Sequence, residues 1–529
     1  MNMMNNLYVF AIGGSGERVV KSLVMMLTTG MKIGAQRIKP VFIDNDVDSK
    51  AFKTCCELIT YYNATPQSDH KMGANTLYLQ EDQDSATWGS FFHVPIDKPI
   101  VLNKAGEAIG NLRNVIGYTR GETAAHKSIE EEMNLLFTDD DLNMPLSVGF
   151  VGNPNIGSIV LNSLSLDGDG STDFGKILAN ISANDGAIVI GSLFGGTGAA
   201  GLPLVINKLK SLPPAKKPIL GGIAVLPYFN TDQQGDKHPD LDTKKWDVKS
   251  GSFVAKTRAA LMYYDDYMKY DYDCLYYVGN SQELDTFHHC VGGEKQDNPY
   301  HIVEMMSALS VIDFSMATHL DKIEYKSPIW GFTDQNNSNV SGIYNSDLAK
   351  SLVKFRMLKE MFYSSGESFL KWAIDIRKDY CDRTGFNEPF RLSVCGQSSA
   401  NSQAWGIANL FREFDKWMSE LSSDRVSRPF LLFNSSAQNV NGDNITKEFY
   451  SERKEDEVNF GIAKSELKGF FKKTLAAVKA DIANEMQNAY NQLYPGGIKQ
   501  ADTAKTLSIL LKIISKALDN VLEKNCIEL

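Results

Sequence analysis

Long apolar runs are missing from this sequence. No stretch approaches the roughly 20 consecutive apolar residues that a membrane-spanning helix needs. The first residues, MNMMNNLYVFAIGG, also lack the cationic region of a secretory signal. We therefore expect a cytoplasmic protein that does not span a membrane.

Paired cysteines and excess positive charge are missing as well. The seven cysteines form no CxxC pair, so neither a disulfide framework nor a zinc cage is expected. A formal net charge of −10 disfavours broad binding to nucleic acid or to anionic membranes. Hydrophobic and charged contents of 43% and 22% are ordinary for a folded chain. The length of 529 residues predicts several domains, or one large α/β unit with additions.

Apolar runs of strand length alternate with helical patterns in the first half of the chain. The strand-like runs cover residues 7–12, 40–43, 187–190 and 219–226, and the helical patterns cover 17–27, 122–136 and 202–209. Near-continuous apolar runs are typical of strands buried on both faces of a parallel sheet. The pattern predicts a doubly wound α/β domain, whose ligands lie beyond the carboxyl ends of the strands.

Two glycine-rich turns follow strand-like runs and precede helical patterns. The first contains GGSG at residues 13–16 and the second is GSLFGGTGAAGLP at residues 191–203. Each glycine costs roughly 0.5–1 kcal/mol relative to alanine, so these positions need bare backbone. Unpaired N–H groups at a helix start can receive phosphate oxygens. A tight turn without a ligand also explains the first motif, which does not match GxGxxG because Val19 stands at the third glycine position.

Two further segments carry candidate ligand contacts. In FIDNDVDS, the carboxylates of Asp44, Asp46 and Asp48 could receive a ribose hydroxyl or hydrated Mg²⁺, or they could form a solvated turn with a helix cap. In IGYTRGETAAHKS, residues 117–121 precede a helix and could contact an anion, or simply begin that helix.

The order of these segments resembles the tubulin/FtsZ superfamily of GTP-binding proteins. GGSG, the acidic turn, the glycines before a helix, GGTGAAGLP and GGIAVLPYF follow one another as in that family. A helix at 251–264, the strand CLYYVGN ending at Asn280 and a central helix at 299–317 continue the series. The resemblance covers residues 7 to about 317, and its most specific element is GGTG with Pro203 after it.

The resemblance implies a binding site for GTP or GDP with Mg²⁺. The residues expected around the phosphates are Gly195, Gly196, Thr197 and Gly198, with Gly13, Gly14, Ser15 and Gly16 at the α- and β-phosphates. Successive inward N–H groups form an anion-binding nest. Asp46 is expected near the metal and the terminal phosphate. Arg120 and Gly121 belong to the loop that would sense the γ-phosphate.

The base is expected at the central helix. Tyr300 and Glu304 stand one helical turn apart, so the ring can stack on guanine while the carboxylate accepts its N1 and N2 hydrogens. Asn280 is a second candidate, and a surface carboxylate on an amphipathic helix is the alternative for Glu304. The sequence departs from the family pattern at Phe194, Ala199, Ala200 and Arg18. Arg18 replaces an asparagine that contacts the nucleotide, so the departures weaken the prediction of guanine more than that of phosphate binding.

Hydrolysis in this superfamily is completed by acidic residues of the next subunit. The segment NSDLAK resembles that catalytic loop, with Asn345 and Asp347 in place and Lys350 at the second acidic position, which predicts slow hydrolysis. Asp321 and Glu324 are alternatives, and a capped helix start explains the segment equally well.

The family comparison predicts four regions. They are a nucleotide-binding domain at 1–297, a connecting helix at 298–318, a smaller αβ domain at 319–455 that includes RLSVCG and RPFLLFN as strands, and C-terminal helices at 456–529. An apolar stripe at three- and four-residue steps in the last region predicts packing on its own domain or a face for a partner protein.

Three functions remain open on the sequence alone. The leading one is a protein that assembles head to tail into filaments, with GTP at the contact between copies and hydrolysed in trans. The second is a nucleotide-gated adaptor of the same fold that does not polymerise. A dinucleotide-dependent oxidoreductase fits the first glycine turn but not the GGTG segment.

Overall fold

The computed structural model contains two compact units. One comprises Met1–Leu23, Gly34–Glu57 and Ile96–Pro328, and the other Val24–Ile33, Leu58–Pro95 and Ile329–Leu529. The structure describes residues 3–46, 48–64, 91–102, 110–116, 124–146, 149–150, 152–163, 173–232, 250–268, 271–280, 285–287, 293, 296–316, 324–326, 348, 351–352, 354–356, 358–359, 405–421, 481, 484–486, 488–489, 491–493 and 506–525.

All the strands of the described part of the chain lie in the first unit, together with most of its helices. The strands are Leu7–Ile12 (β1), Ile38–Ile43 (β2), Ile100–Leu102 (β3), Gly186–Ser192 (β4), Ile219–Val225 (β5), Phe229–Thr231 (β6), Cys274–Val278 (β7), Asp285–Phe287 (β8) and Glu324–Lys326 (β9). The α-helices are Gly13–Thr28 (α1), Lys50–Ala64 (α2), Leu112–Val115 (α3), Ala124–Leu136 (α4), Asp139–Asn143 (α5), Pro154–Ser163 (α6), Asp173–Asn180 (α7), Gly196–Lys210 (α8), Phe253–Tyr263 (α9), Ile302–Ser315 (α10), Trp405–Leu421 (α11) and Thr506–Asn525 (α12). Short 3₁₀ segments lie at Pro214–Lys216 and Ser250–Ser252, and a π turn at Tyr264–Met268 follows α9.

Seven of these strands form one sheet in the order β3-β2-β1-β4-β5-β7-β9, and every neighbouring pair is parallel. β6 and β8 form a separate parallel pair. The structure thus confirms the predicted α/β class with a doubly wound parallel sheet.

Both faces of this sheet are covered by helices, which is why its strands read as unbroken apolar runs. All residues of β1 and β4 are buried. Neighbouring residues of a strand point to opposite faces. The apolar core on the face of Tyr8, Phe10 and Ile12 includes Leu202 and Val205 of α8 but no residue of α1, whose Gly16 lies against Ala11. Helices α8 and α1 therefore pack on opposite faces of β1.

The parallel arrangement brings the carboxyl ends of β1, β2, β4 and β5 to one edge of the sheet. Helices α1 and α8 begin within the glycine segments themselves, several residues earlier than the apolar periodicity predicts. Helix α10 is shorter than the predicted central helix, and Tyr300 precedes it. At this edge the two glycine segments therefore form the first turns of α1 and α8.

The second unit contains α11 and α12. Phe355 lies between Phe411 and Phe414, with ring centroids 5.3 and 5.0 Å away. The apolar stripe of α12 is buried at Leu511, Ile514, Leu518, Val521 and Leu522. The stripe therefore packs against other parts of the chain. The segments RLSVCG and RPFLLFN lie outside the described residues.

No helix in the described part of the chain combines the length and the apolar character needed to cross a membrane.

Candidate functional site

The two glycine turns predicted from the sequence touch each other at the carboxyl edge of the sheet. Gly13 has a φ of +70°, and a Cβ added to it would lie 3.2 Å from Thr197 Cβ and 3.4 Å from Gly198 N. Each turn opens a helix, so the N–H groups that lack an intrahelical partner are concentrated in one place. Their partial positive charges add up where the turns meet.

Close packing accounts for two glycines of the GGTG segment. A Cβ on Gly198 would lie 2.5 Å from the backbone nitrogen of Ser192. One on Gly196 would lie 2.9 Å from Phe150 Cβ and 3.0 Å from Asn153 N. Side chains at these positions would push α8 away from β4 and from the chain near residue 150.

A third backbone segment, comprising residues 149–150 and 152–153, lies beside the GGTG turn, and the sequence analysis missed it. Gly149 and Gly152 have φ angles of +89° and +71°. A Cβ on Gly149 would lie 3.7 Å from Thr197 Oγ1 and 3.8 Å from Asp44 Oδ1. Asn153 Oδ1 accepts hydrogen bonds from Asn155 N and Ile156 N, which caps α6. Gly-Asn-Pro before a helical pattern is the signal that could have revealed this loop, since proline is favoured at a first helical position.

Carboxylates from β2 and α1 gather at the same edge. Asp44, Asp46 and Glu17 are all buried. Asp46 N donates to Asp44 Oδ1 at 3.3 Å, and Asp46 Oδ2 accepts from Gly293 N at 2.7 Å. Glu17 Oε2 accepts from Ser49 Oγ at 2.9 Å. Asp48 differs because its exposed carboxylate pairs with Lys53.

Burial and mutual repulsion oppose charge on Asp44 and Glu17. Burial, followed by the charge of Asp46, raises the pKa of Asp44 to about 7. Burial and the charge of Asp44 raise the pKa of Glu17 well above its ordinary value. Glu17 Oε1 and Asn45 Oδ1 are buried oxygens without a hydrogen-bond partner. These two oxygens therefore lack the hydrogen-bond donors that buried polar atoms need.

These oxygens suit Mg²⁺, which prefers hard oxygen ligands and keeps several waters. Among the described residues, no group of three His, Cys, Asp or Glu side chains has the geometry to hold a metal by itself. Magnesium at this edge would thus take oxygens from a phosphate ligand and from water, with Asp44, Asp46 and Glu17 nearby.

Arg18, Glu304 and Tyr228 form a buried network below the first glycine turn. Arg18 Nε donates to Glu304 Oε1 at 2.8 Å, and Arg18 Nη2 donates to Tyr228 Oη at 2.9 Å and to Ser15 Oγ at 3.3 Å. Tyr228 Oη in turn donates to Glu304 Oε1 at 2.8 Å. Burial alone would lower the pKa of Arg18, but contacts with Tyr228 and Glu304 outweigh it and raise the pKa. Burial raises the pKa of Tyr228.

Glu304 also caps the helix that carries it. His301 Nδ1 accepts from Val303 N at 3.1 Å, while Glu304 Oε2 accepts from His301 N at 3.2 Å. This reciprocal arrangement is a capping box at the start of α10. Both carboxylate oxygens of Glu304 therefore receive hydrogen bonds from within the chain.

The other residues expected at the base lie around the start of α10 and the end of β7. Tyr300 is buried, and Lys21 Nζ lies 4.0 Å from the centre of its ring. Asn280 is half-buried, two residues beyond the end of β7. Phe194, which departs from the family pattern, lies in an aromatic cluster with its ring centroid 6.1 Å from that of Tyr228 and 4.9 Å from that of Phe253.

Lys256 is a cation at the site that the sequence analysis missed. It lies on α9, and its Nζ donates to Gly152 O at 2.7 Å. Its side chain is half-buried, which lowers its pKa. Within the described residues it makes no ion pair with a carboxylate. No sequence pattern singles out this lysine, because the contact joins residues far apart in the chain.

Several predicted site residues lie outside the described part of the chain. They are Arg120, Gly121, Asp321, Asn345, Asp347 and Lys350. Glu324 begins β9, at the edge of the sheet. Their expected roles stay predictions.

Comparison with known proteins finds similarity among solved structures. No protein-family model matches the chain, and no curated protein matches it. Among solved structures, it is similar to CetZ from Methanosaeta thermophila strain DSM 6194, with 13% sequence identity and a TM-score of 0.20. That match covers 53% of this chain and 46% of the other, so it spans less than half of the CetZ chain.

Proposed function

We propose that this chain binds GTP and GDP at the carboxyl edge of its sheet and assembles head to tail into filaments, as the resemblance to the tubulin/FtsZ superfamily implies. The observation that carries the proposal is that the turn at residues 13–16 meets the turn at residues 195–198, with Gly149 and Gly152 beside the second turn. The two helix-opening glycine turns there offer backbone N–H groups that can donate hydrogen bonds to a polyphosphate.

The charges around the segments support a phosphate ligand with Mg²⁺. Arg18 brings positive charge to the first glycine turn, and Lys256 brings it to Gly152. Burial raises the pKa of Asp44 and of Glu17 at the same edge, so a nearby cation would favour their charged forms. A magnesium polyphosphate suits this arrangement of charges. Its Mg²⁺ would lie near the carboxylates, and its phosphate oxygens would lie near Arg18 and Lys256.

Self-assembly rests on the catalytic loop expected at Asn345, Asp347 and Lys350. A nucleotide held at one end of the molecule and completed by the next copy makes an interface that does not close on itself, which yields an open polymer. Lysine in place of the second acid favours slow hydrolysis.

The first experiment is to identify any nucleotide retained by the purified protein and to titrate the nucleotide-free protein with GTP, GDP and ATP. Sedimentation and electron microscopy with each nucleotide then test assembly. Filaments with GTP but not GDP support the full proposal. Nucleotide binding without filaments at high concentration would favour the adaptor function, and no binding to any nucleotide would rule out both.

A further inference from the structure

The carboxylate of Glu304 is closed off by partners within the chain. Its Oε1 accepts from Arg18 and Tyr228, and its Oε2 accepts from the backbone of His301. The residue is only 1% exposed. A guanine base could use this carboxylate only after displacing the arginine or the helix cap.

Arg18, in contrast, keeps one nitrogen available. Its Nε and Nη2 donate to Glu304, Ser15 and Tyr228, while Nη1 makes no hydrogen bond within the described part of the chain. Nη1 lies 3.6 Å from the point that a Cβ on Gly14 would occupy. The free end of the guanidinium therefore faces the first glycine turn.

We propose that Glu304 is a positioning residue which, together with Tyr228, holds Arg18 so that Nη1 donates to a phosphate oxygen at the Gly14 turn. Glu304 then does not read the base, in contrast with the role that the family resemblance implies. The inference rests on the proposed function, because it takes the ligand to be a nucleoside polyphosphate. It deepens that function by separating phosphate recognition from base recognition.

Geometry favours a positioning role over a purely structural ion pair. A buried ion pair is weak evidence for stability, because desolvation offsets much of its attraction. Here the carboxylate and the tyrosine hydroxyl fix two of the three guanidinium nitrogens and leave the third toward the glycine turn. Such pre-organisation reduces the entropy lost when a side chain binds an anion.

The test compares ligands that share phosphates but differ in the base. The full chain and its Glu304→Gln, Arg18→Lys and Tyr228→Phe variants are titrated with inorganic tripolyphosphate, GTP, inosine triphosphate and ATP at constant Mg²⁺. Tyr276→Phe is the matched control, since it removes a buried tyrosine hydroxyl that donates to Asp313, also on α10. Unfolding in urea gives the stability of each variant.

We expect Glu304→Gln and Arg18→Lys to weaken binding of all four ligands by the same factor, about tenfold to a hundredfold, as for loss of a charge-assisted hydrogen bond. Tyr228→Phe should weaken all four by a smaller common factor, and Tyr276→Phe should change none. If Glu304→Gln does not fold, Arg18→Lys and Tyr228→Phe carry the same comparison.

Two results would overturn the inference. If Glu304→Gln weakened GTP at least tenfold more than tripolyphosphate and ATP, Glu304 would read the base. If the variants lost stability but bound every ligand as tightly as the wild-type chain, the network would be structural only. Failure of the wild-type chain to bind any of the four ligands would instead refute the proposed function, and the inference with it.

Discussion

Lys256 donates a hydrogen bond of 2.7 Å to the carbonyl oxygen of Gly152, and this contact places an ammonium group against the loop that faces Thr197. The lysine has no carboxylate partner within the described residues. Half-buried cations without a counter-ion are costly, so a bound anion is the natural partner.

We therefore expect Lys256→Gln to weaken GTP binding about tenfold, the value of one charge-assisted contact. Equilibrium binding with a fluorescent GTP analogue measures this. Lys217→Gln is the control, since Lys217 is exposed just before the amino end of β5, at the opposite edge of the sheet. Unchanged affinity in Lys256→Gln would show that the lysine only tethers the loop.

Asp44 predicts a pH dependence of stability in the ligand-free protein. Its pKa is about 7 in the folded chain, whereas the carboxyl group of an unfolded chain loses this proton near its ordinary pKa of 3.8. Between these values the folded state binds more protons than the unfolded state, so the free energy of unfolding falls as pH rises. Asp44→Asn removes this loss and should stabilise the protein increasingly from pH 5 to pH 7.

The difference in free energy of unfolding between Asp44→Asn and the wild-type protein should grow by up to ~1.4 kcal/mol for each pH unit between pH 5 and pH 7. Urea unfolding of both proteins at pH 5, 6, 7 and 8 measures it. Asp48→Asn serves as the control, because Asp48 is exposed and outside the cluster. A gain for Asp44→Asn that is equal at every pH would contradict the assigned pKa.

The same carboxylate predicts a proton released on ligand binding. A cation placed near Asp44 favours its charged form, so magnesium nucleotide should expel the proton that burial retains at pH 7. Calorimetric titration in buffers of different ionisation enthalpy counts the protons released. We expect a fraction of one proton for the wild-type chain and a clear decrease for Asp44→Asn; equal release by both proteins would place the cation elsewhere.

The glycines of the two turns have separable roles. A Cβ on Gly198 would collide with the backbone of Ser192, so Gly198→Ala should destabilise the fold by ~1–3 kcal/mol. A Cβ on Gly14 meets only Arg18 Nη1, at 3.6 Å, so Gly14→Ala should fold normally. It should nevertheless weaken GTP binding, because the methyl group occupies the space that a phosphate would use.

Thermal unfolding and GTP titration of both variants test this difference. Gly251→Ala is the control, since nothing lies within 4 Å of its added Cβ. Normal GTP binding by Gly14→Ala would mean that the first turn only packs helix α1.

The fold was readable from the sequence because local pattern and tertiary environment agree. Residues 7–12 and 187–190 are apolar throughout, and both lie in strands buried on two faces. The starts of α1 and α8 were not predicted, since glycine is a poor helix former and only the tertiary contacts of Gly13 and Gly198 hold those turns in place.

The site could be predicted only in part, because some of its contacts join residues that are far apart in the chain. The glycines and Asp46 could be predicted, because they stand in short glycine-rich or acidic segments of the sequence. Arg18 and Glu304, in contrast, are 286 positions apart in the chain, and no local signal reports that they meet. The spacing of Tyr300 and Glu304 suggested one helical face, but Tyr300 precedes the cap of α10, so helical spacing does not apply to the pair.

Mixing two inactive variants tests catalysis between copies. Asp347→Ala should bind GTP but leave the nucleotide of the neighbouring copy without its acidic residue, so turnover should fall about a hundredfold or more if it positions the attacking water. Gly14→Ala should bind GTP weakly while keeping Asp347, and the GTP concentration is chosen so that this variant stays largely unoccupied. In a mixture, the first variant supplies the nucleotide and the second supplies the carboxylate, so phosphate release should partly recover. Recovery requires contact between copies and cannot arise from an adaptor that acts alone. Steady-state phosphate release across mixing ratios measures it, with a maximum expected near equal amounts; turnover that simply averages the two variants would argue against hydrolysis in trans.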